Sequence, residues 1–65
     1  MGNYIIGKNS IIEGNVLIED NVKIGNNCII KGNEQNKTII KEGCIIDDFV
    51  SVYPSVVVGK NSKIG

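Results

Sequence analysis

Ten aliphatic residues recur at a spacing of six. Ile6, Ile12, Ile18, Ile24 and Ile30 form a first run, and Ile40, Ile46, Val52, Val58 and Ile64 a second. Ten residues separate Ile30 from Ile40 instead of six, so four extra residues are inserted there, within 33–37. A helix has 3.6 residues per turn, and anchors six apart would scatter around its surface. Strands alternate faces with a period of two, so a hexad accommodates a short strand and a tight corner.

The other columns of the repeat agree. Four positions after each anchor stand Ser10, Val16, Val22, Cys28, Thr38 (skipping the insertion), Cys44, Val50, Val56 and Ser62, all small or short-branched. Each lies two before the next anchor and shares its inward face. Three positions after the anchor stand Asn9, Asn15, Asn21, Asn27, Gly43, Phe49, Ser55 and Asn61. Asparagine and glycine tolerate φ > 0, so this column is expected in the left-handed region at the corner. The 13 Ile, seven Val and one Thr fit this reading, because β-branched side chains favour strands.

Units such as Ile6-Gly7-Lys8-Asn9-Ser10-Ile11, Ile24-Gly25-Asn26-Asn27-Cys28-Ile29 and Val58-Gly59-Lys60-Asn61-Ser62-Lys63 resemble the hexapeptide repeat. The chain is similar to the bacterial hexapeptide-repeat acyltransferase superfamily over nearly all residues outside the insertion. The resemblance implies an all-β fold, a left-handed parallel β-helix in which three hexads close one triangular coil. The hand rests on the resemblance alone, since ordinary crossovers are right-handed. Residues 1–65 form one domain of about three and a half coils. Coil 1 runs from Ile6 to Lys23, coil 2 from Ile24 to Ile45 and coil 3 from Ile46 to Lys63. Anchors then stack as Ile6, Ile24, Ile46 and Ile64; Ile12, Ile30 and Val52; and Ile18, Ile40 and Val58.

The residue before each anchor points outward. The first face carries Ile5, Lys23, Ile45 and Lys63, the second Ile11, Ile29 and Ser51, and the third Leu17, Ile39 and Val57. Soluble monomers seldom expose a stacked aliphatic strip. The third face is therefore expected to be an oligomer contact, with Ile11 and Ile29 of the second contributing. The resemblance implies a homotrimer. Stacking of open coils end to end is a further expectation, since solenoids without capping repeats leave strand edges exposed; the chain otherwise reads as part of a longer protein.

The implied chemistry is transfer of an acyl group, acetyl in the first instance, from a coenzyme A thioester to a hydroxyl or amine of a sugar-like or other small acceptor. Acetyl-CoA or another acyl-CoA is then a co-substrate, and no resident cofactor is expected. The family's general base is a histidine, and this chain has none. No catalytic residue is assigned, and the 65-residue chain is expected to be inactive alone. The same absence removes the zinc-dependent γ-class carbonic anhydrases of this fold. The alternative is a non-catalytic β-helix serving as a trimerisation or assembly module. Asn33, Glu34, Gln35, Asn36 and Lys37 project from a corner and are acceptor-loop candidates by resemblance, or a solvated loop. Gly59 and Lys60 match corner residues that approach coenzyme A, or form a plain turn. Glu13, Glu19, Asp20, Glu42, Asp47 and Asp48 read as solvated corner residues.

Cys28 and Cys44 fall in the inward small column and read as buried apolar residues. No CxxC or Cys/His cluster supports a metal site. Without an export pattern, reduced thiols in the cytoplasm are expected. Seven lysines balance seven acids, arginine is absent and aromatics make up 5%, which argues against nucleic acid. No apolar run approaches the roughly 18 residues of a membrane span.

Overall fold

The computed structural model describes residues 3–65. It contains ten short strands: β1 Tyr4–Ile6, β2 Ile11–Glu13, β3 Val16–Ile18, β4 Val22–Ile24, β5 Ile29–Lys31, β6 Thr38–Ile40, β7 Ile45–Ile46, β8 Ser51–Val52, β9 Val57–Val58 and β10 Lys63–Ile64. They pair in parallel as three sheets, β1-β4-β7-β10, β2-β5-β8 and β3-β6-β9. The register aligns Ile6 with Ile24 and Ile24 with Ile46, Ile12 with Ile30, and Ile18 with Ile40. This is the left-handed parallel β-helix expected of the repeat, with every hexad one edge of a triangular coil.

The tube is filled by the anchors and the small column. Ile18, Val22, Ile24, Cys28, Ile30, Ile40, Cys44, Ile46, Val52 and Val58 form the buried core. Each fully buried Ile contributes roughly 1.5–3 kcal/mol relative to exposure. Burial thins at the terminal coils: Ile6 is 39% exposed, and Ile12 and Ile64 are half-buried. Ile18, Val52 and Val58 also have a neighbouring coil on one side only and stay buried, so the thinning is confined to the two ends of the described chain.

Hydrogen bonds run from coil to coil in a fixed pattern. The residue after each anchor donates its amide to the next coil's anchor, as Gly7 N to Ile24 O (2.9 Å), Gly25 N to Ile46 O (2.7 Å) and Lys41 N to Val58 O (3.0 Å). At the corners the direction reverses: Asn27 N reaches Lys8 O (2.8 Å), Phe49 N reaches Asn26 O (2.9 Å) and Asn61 N reaches Glu42 O (2.9 Å). The donors of these reversed bonds have φ of 57°, 62° and 58°. The left-handed step turns the corner amide toward the preceding coil.

One expected corner differs. Asn9, Asn21, Asn27, Gly43, Phe49, Ser55 and Asn61 have positive φ, but Asn15 does not, and Gly14 takes the step with φ 80°. This corner has glycine one place earlier, and the left-handed conformation costs glycine least.

Candidate functional site

The second and third faces meet at a corner formed by 13–15, 31–37 and 53–55. The insertion projects there from coil 2, with Asn33, Glu34, Gln35, Asn36 and Lys37 all exposed. It is closed on itself. Asn33 Oδ1 accepts from Gln35 N (3.1 Å) and Asn36 N (2.7 Å), and Asn33 N donates to Asn36 O (3.1 Å). Asparagine suits this role because its short side chain hydrogen-bonds the backbone just downstream. Buried Thr38 pins the neck, its single hydroxyl proton shared between Lys31 O (2.6 Å) and the more distant Tyr53 O (3.2 Å).

Gly59 and Lys60 lie exposed at the next corner, on coil 3. The third face separates them from the insertion, so one chain places the acceptor-loop and donor-binding candidates on opposite edges of a sheet. Along that face Leu17, Ile39 and Val57 are in register, Leu17 and Ile39 half-buried and Val57 exposed. On the second face Ile11 is in register with Ile29, and Ile29 with Ser51.

The carboxylates occupy corners, as expected, and several have a structural task. Asp48 Oδ1 accepts from Asn26 N (2.7 Å), and Asn26 Oδ1 accepts from Lys8 N (2.7 Å), building a ladder up one corner. Asp20 Oδ1 accepts from Asn3 N (2.8 Å) and Glu19 Oε1 from Glu42 N (3.0 Å). The ladder dictates glycine beside it, since a Cβ on Gly7 or Gly25 would overlap the side chain of Asn26 or Asp48. Lys63 Nζ lies 3.9 Å from Asp47 Oδ2, an exposed pair of small energetic weight.

Cys28 and Cys44 are fully buried and unpaired by disulfide. They are more than fillers. Cys28 Sγ donates to Asp47 O (3.0 Å) and Cys44 Sγ to Gly59 O (2.9 Å), while Ser10 Oγ donates to Gly25 O (2.7 Å) and accepts from Cys28 N (3.0 Å). With Thr38 they form a series in which the inner small residue seals the corner carbonyl of the next coil. The signal was Ser10 and the run Cys28, Thr38, Cys44 in a column that valine fills at 16 and 22; the acceptors emerge only once the coils are stacked.

Among the described residues no three His, Cys, Asp or Glu side chains converge on a metal-sized site. A shallow depression lined by Asn3, Tyr4, Ile5, Asn21, Val22 and Lys23 lies on the first face at its N-terminal end.

A ten-strand parallel tube with asparagine corners defines a hexapeptide-repeat protein. The family model for bacterial transferase hexapeptide (six repeats) matches residues 3–33 and 37–65, leaving out the middle of the insertion. The chain belongs to this family. No curated protein and no solved structure matches it.

Proposed function

We propose that this chain is the β-helical part of a hexapeptide-repeat acyltransferase, which binds an acyl-CoA, acetyl-CoA in the first instance, for transfer to a hydroxyl or amine of a small acceptor. The match to the transferase repeat along both runs of hexads carries this reading. The chain lacks a histidine, so it holds the donor without turning it over. The insertion and Gly59-Lys60 border the same face from opposite edges, and copies joined along that face as a homotrimer bring one chain's loop toward another's donor corner. Equilibrium dialysis with labelled acetyl-CoA tests the reading: binding without thiol release is expected, weakened at least tenfold by Lys60→Glu. Absence of binding, or turnover by this chain, overturns it.

A second reading, a non-catalytic assembly module, is favoured by the same missing base and by the aliphatic third face. It expects no acetyl-CoA binding but a particle three times the 7.0 kDa chain mass, reduced by Leu17→Lys.

A further inference from the structure

Coil 3 carries a feature the two earlier coils lack. From Phe49 to Gly59 eleven consecutive residues are uncharged, bounded by Asp48 and Lys60. Elsewhere the second face bears Glu13 and Lys31 at the ends of its strands, and Glu19 and Lys41 directly follow those of the third. Within this neutral band lie three large exposed apolar side chains, Phe49 (77% exposed), Tyr53 (60%) and Val57 (58%).

Their order along the coil is informative. Alternate positions across the second face read Phe49, Ser51, Tyr53, large-small-large. Across the third face they read Ser55, Val57, Gly59, small-large-small. These alternating exposed positions suit a notch at Ser51 between two rings on one face and a knob at Val57 between two small residues on the other. Both lie on the same coil, so contact between them needs no shift along the tube axis.

Phe49 supplies an independent sign. Its φ of 62° places an aromatic residue in the left-handed region, in the column where Asn27 and Asn9 stand one and two coils earlier. Asparagine meets that backbone demand with less strain, and a bulky residue there is an outlier. Strain and exposure at one residue mark a surface kept for contact.

We infer that the notch Phe49-Ser51-Tyr53 of one copy receives Val57 of a second copy of this chain, flanked by that copy's Ser55 and Gly59. The inference rests on the association of copies along the side faces and names its central contact. A specific interface covers about 800 Å² per partner, about a fifth of this chain's 4052 Å² surface. The aliphatic columns Ile11-Ile29 and Leu17-Ile39 extend both faces into coils 1 and 2 and supply the remaining area, with Glu13, Lys31, Glu19 and Lys41 beside them toward the corners.

The contact is head-to-tail, and mixing tests it. Ser51→Leu fills the notch and keeps the knob; Val57→Ser keeps the notch and removes the knob. Each variant alone is expected to associate at least tenfold more weakly than the parent by sedimentation equilibrium. An equimolar mixture is expected to form one-to-one pairs, since one intact junction remains. Phe49→Asn is expected to raise the melting temperature of the dissociated chain while weakening association, two opposite signs that a purely structural residue would not give. Parent-like mass for both Ser51→Leu and Val57→Ser, or a mixture that pairs no better than its components, overturns the contact while leaving association along the faces standing. A parent chain monomeric at millimolar concentration overturns both, and the acetyl-CoA reading is then judged by its own dialysis result.

Discussion

The junction between coils 1 and 2 and the junction between coils 2 and 3 share one backbone ladder, yet their interiors differ. From coil 2 to coil 3 all three corners are sealed from within, by Cys28 to Asp47 O, Thr38 to Tyr53 O and Cys44 to Gly59 O. From coil 1 to coil 2 only Ser10 to Gly25 O serves this purpose, and valines 16 and 22 stand at the other two places. The anchors follow in part: Ile24, Ile30, Ile40, Ile46, Val52 and Val58 are buried, whereas in coil 1 Ile6 is exposed and Ile12 half-buried, with Ile18 alone buried. A repeat with uniform hexads can thus be firm at one junction and loose at the next, because two variable columns set the interior of each.

The two junctions differ most at the anchors. Ile40→Ala leaves a cavity in a fully buried layer and is expected to cost about 2–5 kcal/mol by urea unfolding. Ile12→Ala, on the half-buried side, is expected to cost about 1 kcal/mol. Equal losses would mean that coil 1 is packed as tightly as coil 2.

The glycines come next. A Cβ on Gly25 would run into Asp48 Oδ1 and the backbone of Asp47 and Asp48, whereas at Gly59 it meets only Ser62 Oγ at 3.8 Å. Gly25→Ala should therefore lose about 1–3 kcal/mol, and Gly59→Ala should stay within about 0.5 kcal/mol. The same loss at both positions would show that the carboxylate ladder does not hold coil 3 to coil 2.

The tube itself was legible in the sequence because its cause is repetitive: an aliphatic anchor every sixth residue fixes strand, corner and stacking together. The register that aligns Ile12 with Ile30 and Leu17 with Ile39 follows from counting, once Thr38 is placed beyond the insertion. What escaped depends on pairs of coils. The left-handed step at Gly14 in place of Asn15 is a competition between adjacent residues that a column rule overlooks. The donor role of the thiols needs a carbonyl supplied 15 or 19 residues away. Of the candidate site, the corners of the loop and of Gly59-Lys60 follow from the same count, and with them the face between the two; the loop's closure on Asn33 Oδ1 does not.

Inner hydrogen bonds give a smaller effect. Thr38→Val preserves shape and strips the donor from Lys31 O and Tyr53 O, for an expected loss of about 1–3 kcal/mol. Val22→Thr places a hydroxyl at the matching position of the looser junction, where the pattern of the column offers the Lys41 carbonyl. It should cost under about 1 kcal/mol, against about 1–3 kcal/mol for a buried hydroxyl without a partner. A larger loss would mean that valine at this place reflects a geometry closed to donors.

The finest distinction is kinetic. The amides of Gly7 and Ile11 donate across the looser junction, to Ile24 O and Cys28 O, and those of Ile39 and Ile45 across the firmer one, to Val56 O and Ser62 O. All four bonds are 2.8–2.9 Å long, so bond geometry does not separate them. Local opening does, since it requires exposing whatever lies behind the strand. Opening at Gly7 and Ile11 uncovers anchors already partly in solvent; opening at Ile39 and Ile45 uncovers Ile40 and Ile46 and breaks a thiol or hydroxyl bond as well. Native-state hydrogen exchange should be at least about tenfold slower for Ile39 and Ile45, equivalent to about 1.4 kcal/mol of opening free energy. Exchange at one common rate would mean that the tube opens as a single unit, with the inner bonds contributing to all coils alike.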